Sequence, residues 1–124
     1  MRKVAVYGTL RFGQSNHSYF LKNKKPLITE KTKEKFDMYN IGYFPAIIEN
    51  GNTNITIEVY EVNDREWNDI CFLEGYNEIN EKNSLYNYKE IETSLGKANI
   101  FVFNDTKENL SNKNLIKSGD WLDK

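Results

Sequence analysis

The sequence predicts an α+β fold built on a mostly antiparallel sheet, strongly curved or closed, with two short helices. Three observations predict it. Runs of β-prone residues outnumber helical ones along the 124 residues. Turn signals, above all Asn50-Gly51-Asn52 and Leu95-Gly96, join runs that are neighbours in the chain, so most pairings are antiparallel. A single segment, Asp64–Leu73, carries a clear helical period.

Taken in order, residues 3–9 form a β-branched, apolar strand that gives way to a loop at Gly8. Asn16 stands where it can cap a short helix over His17–Leu21. Lys22, Lys24 and Lys25 make a solvated basic patch. Residues 26–38 alternate charged and other residues, which fits an exposed strand; a helix fits the same stretch. Residues 39–43 read as a loop leading into a strand at 44–48, and residues 55–62 alternate Ile55, Ile57 and Val59 against Thr56, Glu58 and Tyr60. Asn63-Asp64 begins the main helix, with Trp67, Ile70 and Cys71 on its apolar face. The helix stops near Gly75, a polar loop covers 76–84, and strands follow at 85–93 and 99–103. The last residues end in a turn and an aromatic anchor, Trp121.

Composition narrows the chemistry. The length suits one domain with its own core. A net charge of −1, from 17 basic and 18 acidic residues, gives no basic field for nucleic acid or an anionic membrane. No apolar run approaches the roughly 20 residues of a membrane helix, and no apolar leader opens the chain, so the expected location is the cytoplasm. Cys71 is the only cysteine and His17 the only histidine, which excludes an internal disulfide, a thiolate zinc cage and a two-His metal site. Neither a phosphate-binding Gly-x-x-x-x-Gly-Lys nor a Gly-x-Gly-x-x-Gly pattern is present. Asp105, Glu108, Asp120 and Asp123 are too scattered for a metal site and read as solvated charge. Catalysis would rest on carboxylates, hydroxyls, backbone amides or His17.

Two places could supply it. Tyr7-Gly8-Thr9-Leu10 ends the first strand in a turn whose backbone a ligand can approach at Gly8, and whose successive N–H groups can form an anion-binding nest. Arg11, next in line, suits either a carboxylate ligand or the surface. Glu74 lies at the end of the helix among Phe72, Leu73 and Tyr76; turned inward it would be desolvated and its pKa raised towards the range of a general acid or base. Turned outward, it is an ordinary helix-end glutamate. Glu78, in a more polar stretch, reads as solvated, and Asn16-His17 as capping and packing.

In order along the chain, Tyr7-Gly8-Thr9-Leu10-Arg11, Gly13 with Asn16-His17, Phe44-Pro45-Ala46-Ile47, Val59-Tyr60-Glu61-Val62, Leu73-Glu74-Gly75-Tyr76, Tyr86 and Ser118-Gly119-Asp120-Trp121 resemble the gamma-glutamylcyclotransferase family, in its avirulence-induced-gene-like branch. The resemblance implies a small β-barrel flanked by helices with one cavity. It implies cleavage of a small gamma-glutamyl amide by attack of its own α-amine, giving 5-oxoproline and an amine or amino acid, with no metal or organic cofactor. Glu74 matches the family's catalytic glutamate, Tyr7, Gly8, Thr9 and Leu10 match its substrate-holding loop, and Tyr86 matches a cavity-lining tyrosine. Three positions depart from the pattern: Ile57 stands where a Gly is frequent, Cys71 where an Asp is usual, and Tyr88 where an Arg is common. A non-catalytic module binding a small ligand in the same cavity is the alternative reading.

Overall fold

The computed structural model describes residues 1–76, 84–104, 109–110 and 113–124. Among the described residues, seven strands and two helices follow in the order β1 (Arg2–Val6), α1 (His17–Leu21), β2 (Ile28–Asn40), β3 (Pro45–Glu49), β4 (Thr53–Val62), α2 (Asp64–Leu73), β5 (Tyr86–Thr93), β6 (Gly96–Phe103) and β7 (Asn114–Leu115). A short 3₁₀ turn over Trp121–Asp123 ends the chain.

The strands form one mixed sheet in the order β3-β2-β4-β1-β6-β5, with β7 paired to β2. Hairpins β2–β3 and β5–β6 and the pairs β2–β4 and β1–β4 are antiparallel; β1 and β6 alone run parallel. The sheet curls into a half-barrel. Its two end strands are tied by side chains: the Tyr86 hydroxyl on β5 donates to the Pro45 carbonyl on β3 at 2.7 Å, and Lys89 on β5 reaches Glu34 on β2 and Glu49 on β3 at 2.8 and 2.9 Å.

Strand alternation sorts the core into two layers. Ala5, Ile55, Ile57 and Val59 point into a cluster with Phe36, Met38, Ile47, Ile91, Ile100 and Trp121. This layer draws on strands from both halves of the sheet, as a curl requires. Val4, Val6, Tyr60 and Val62 face the other way, onto Leu21 of α1 and Trp67 and Ile70 of α2. Ile57 is fully buried, so the methylenes at this departure from the family pattern work as core. Truncation of such a side chain to Ala costs about 2–5 kcal/mol.

Several sequence expectations change. Of the two readings of residues 26–38 the strand holds, from Ile28 onward, but the loop expected at 39–43 starts late: β2 continues through Tyr39 and Asn40, because these pair with Ala46 and Pro45 across the β2–β3 hairpin. Asn16 makes no side-chain cap. Its backbone is already helical (φ −100°, ψ −2°), which turns the amide away from the first-turn N–H groups, and it donates instead to Thr9 Oγ1 at 2.9 Å. Cys71 is partly buried against the helix-side core rather than enclosed by it.

Candidate active site

Helix α2 is fixed at both ends. At its start, Asn63 accepts from the Glu66 N–H while the Glu66 carboxylate accepts from the Asn63 N–H, a complete capping box. At its end, the N–H of Gly75 donates to the Phe72 carbonyl and that of Tyr76 to the Cys71 carbonyl, at 3.1 and 3.0 Å. This paired closure is a Schellman motif, and it needs the left-handed φ of +68° that Gly75 supplies. Glu74 is the C-cap residue, so its direction is set by the helix and by the motif together. Trp67 and Ile70 hold α2 on the sheet, and Phe72, 87% exposed, marks its outer side.

Glu74 points inward. It lines a cavity of about 300 Å³ together with Tyr7, Gly8, Thr9 and Leu10 from the end of β1 and Tyr86 from β5. The six site residues singled out in the sequence therefore share one hollow. Its size is at the small end for ligand pockets, about 300–1,000 Å³. Glu74 keeps some solvent contact through the cavity, yet burial pushes its pKa up to about 7. No side-chain hydrogen bond or ion pair joins it to another described residue. Tyr88, at the position where an Arg would be expected, packs on Trp67, Tyr76 and Phe101 and brings no charge.

Opposite lies the turn after β1. The carbonyls of Gly8 and Thr9 are taken, accepting from the N–H groups of Arg11 and Asn16 at 3.0 Å each. Among the described residues, the N–H groups of Thr9 and Leu10 meet no acceptor, which leaves them for a ligand. Gly8 has a second reason to be glycine: a Cβ there would sit 2.6 Å from the Pro45 ring, so β3 packs directly on this backbone. Tyr43, Phe44 and Leu85 complete the more exposed rim, with Ser15 and Asn16 beside the turn.

Arg11 is neither a cavity residue nor a surface one. It is buried and donates from Nε to Glu58 at 2.8 Å and from Nη1 to Asp120 at 2.7 Å. Glu58 also accepts from the Phe12 N–H at 2.8 Å and the Tyr60 hydroxyl at 2.7 Å. Asp120, expected to be solvated, is thus the partly exposed end of a network rooted in the buried Arg11 and Glu58. Burial would raise its pKa, but the Leu122 N–H and the Arg11 guanidinium outweigh that and hold it low. The network fastens the turn to β4 and to the C-terminal segment. His17 packs as expected: its ring is buried between Phe12 and Tyr60, with Nδ1 2.8 Å from the Leu10 carbonyl and Nε2 2.9 Å from that of Lys24.

Glu78, Asp105 and Glu108 lie outside the described residues. Among the described residues, no group of three or more His, Cys, Asp or Glu converges as metal ligands would, and no helix is long and apolar enough to cross a membrane. The roles of Glu58, Pro45 and Phe101 escape sequence reasoning. None lies within a local pattern that links it to the turn or to Glu74; only the curl brings them there.

Residues 4–123 match the family model described as gamma-glutamyl cyclotransferase, AIG2-like. The chain belongs to the gamma-glutamylcyclotransferase family. Within it, a Vibrio cholerae protein provisionally named gamma-glutamylcyclotransferase is 36% identical over 118 residues, covering 95% of this chain and 93% of the relative. An uncharacterized Pyrococcus horikoshii protein of known crystal structure superposes with a TM-score of 0.76 at 30% identity, covering 98% of this chain and 90% of that one. A mouse AIG2-like protein shares the fold, with a TM-score of 0.71 at 20% identity over 97% of this chain and 88% of its own. The half-barrel with its few short helices is thus the gamma-glutamylcyclotransferase fold.

Proposed function

We propose that this gamma-glutamylcyclotransferase-family chain is an enzyme that cyclises the glutamyl group of a small gamma-glutamyl amide to 5-oxoproline, with Glu74 as general base and then general acid. The observation that carries this reading is the pairing, in one hollow, of a carboxylate with a pKa near 7 and a turn with two N–H groups, neither partnered among the described residues. The α-ammonium of the substrate is not a nucleophile until it loses a proton. A carboxylate poised near neutrality takes that proton efficiently and can return it. The amine then attacks the side-chain carbonyl carbon of its own molecule. Tethering removes much of the entropic part of the barrier, which for well-oriented intramolecular reactions reaches about 7–11 kcal/mol.

As the new C–N bond forms, negative charge gathers on the carbonyl oxygen, and the N–H groups of Thr9 and Leu10 are suited to stabilise it or to hold the substrate carboxylate. Protonated Glu74 gives its proton to the leaving nitrogen and the old C–N bond breaks. The ring nitrogen sheds its second proton through Glu74 to the released amine or to water. Tyr7, Gly8 and Leu10 shape the glutamyl end, and Tyr86 closes it from β5.

Purified protein incubated with a panel of gamma-glutamyl amides is expected to release 5-oxoproline, and Glu74→Gln to lose about 10²–10⁴-fold in rate. Its kcat/KM should fall as pH drops below about 7, where Glu74 becomes protonated and can no longer accept the ammonium proton. A Glu74→Gln protein of full activity defeats the mechanism. Saturable binding of these amides with no product would instead establish the non-catalytic module.

A further inference from the structure

Resting on that reading, we propose that the hydroxyl oxygens of Tyr7 and Tyr86 join the Glu74 carboxylate in a three-acceptor cage that binds the α-ammonium of the ligand. The basis is an account of protons. Each phenol has one O–H to give, and each has spent it on a backbone carbonyl: Tyr7 on that of Phe101 and Tyr86 on that of Pro45, both at 2.7 Å. Carbonyl oxygens only accept, so the direction of both bonds is fixed. What each hydroxyl retains is lone-pair density, and both side chains are buried and line the hollow.

Glu74, when ionised, is also an acceptor only. The three groups sense one another: besides burial, the Glu74 charge raises the pKa of both tyrosines, and Tyr86 raises that of Tyr7. No Lys, Arg or His stands among the described residues that line the cavity. A buried wall of acceptors without a donor selects a donor-rich, positively charged group. An ammonium offers three N–H bonds to three oxygens. The opposite wall, with the N–H groups of Thr9 and Leu10, donates. The hollow is thus polarised to fit a zwitterion in one orientation, with the nitrogen next to the base that must deprotonate it.

Two diacids that differ only in the α-ammonium, L-glutamate and glutarate, test the cage by calorimetric binding, since neither carries a leaving amine. The wild-type protein is expected to bind L-glutamate at least about tenfold more tightly, the order expected of one charge-assisted hydrogen bond. Tyr7→Phe and Tyr86→Phe should each erode that preference several-fold while leaving glutarate affinity unchanged. Equal affinity for the two diacids in the wild type overturns the cage, and needs no variant that might misfold. A preference that survives in both folded variants, or an equal loss for both ligands, overturns it too. A protein that prefers L-glutamate but never yields 5-oxoproline defeats the cyclisation and spares the cage; turnover without the preference does the reverse.

Discussion

Glu58 and Glu74 are both carboxylates set into the interior, and the fold treats them in opposite ways. Glu58, 5% exposed, receives donors from Arg11, Phe12 and Tyr60. Glu74 receives none from the described residues and answers its desolvation by a raised pKa. The first arrangement spends hydrogen bonds to keep a charge where it fastens a loop. The second leaves a carboxylate poised to change charge near neutrality. Buried charge is tolerated for structure when it is fully partnered, and an unpartnered carboxylate beside a cavity is the one able to move protons.

Breaking the partnered site should have the larger effect. Arg11→Met leaves Glu58 buried without its cation, and chemical denaturation should show a loss of about 3–5 kcal/mol. Adding Glu58→Gln should recover part of it, since two neutral partners replace one orphaned charge. Recovery of nothing would mean that the Arg11 stem, rather than its charge, holds the turn.

Next in size, Glu74→Gln should stabilise the protein, with a sign set by linkage. Below about pH 4.5 the carboxyl is neutral in both folded and unfolded chains, so substitution changes little. Between 4.5 and about 7 the unfolded chain ionises while the folded one resists, and the wild type loses stability relative to the variant. Above about 7 the gap is constant. The full shift corresponds to about 3 kcal/mol, and partial solvent contact through the cavity reduces the expected gain to about 2 kcal/mol. Parallel melting curves at pH 4 and pH 8 read it directly; a gain equal at both pH values would mean that packing, not charge, had changed.

Smallest is Asp120→Asn. Its carboxylate side chain is 27% exposed, and solvent screens the bond to Arg11. A loss of about 1 kcal/mol or less is expected, with a larger loss at low than at high salt. Should Asp120→Asn cost as much as Arg11→Met, the C-terminal segment and not β4 would be the true anchor of the turn.

Much of this is legible in the sequence. The Asp64–Leu73 helix, its Asn63 start and its stop at Gly75 follow from local rules, because caps and closing glycines act within a few residues. The β1 turn and the alternation of Ile55, Ile57 and Val59 were readable for the same reason. From the sequence, Arg11 suits either a ligand or the surface and Asp120 reads as solvated charge, because their bonds span 47 residues to Glu58 and 109 residues to each other. Asn16 satisfied the rule for a cap and was drawn off by Thr9.

By itself, the sequence determined most of the elements, their order, and which residue types could do chemistry; these depend on backbone preferences and side-chain periods that act over one or two turns or strands, whereas the two-residue β7 and the end of β2 exist only through pairing. Only the tertiary structure decided that Glu74 faces inward with no cation beside it among the described residues, that Arg11 is occupied, and that Tyr7 and Tyr86 spend their protons on backbone carbonyls. Those outcomes depend on which distant groups the curled sheet sets within hydrogen-bond reach, and a hydrogen bond is decided within a few tenths of an ångström.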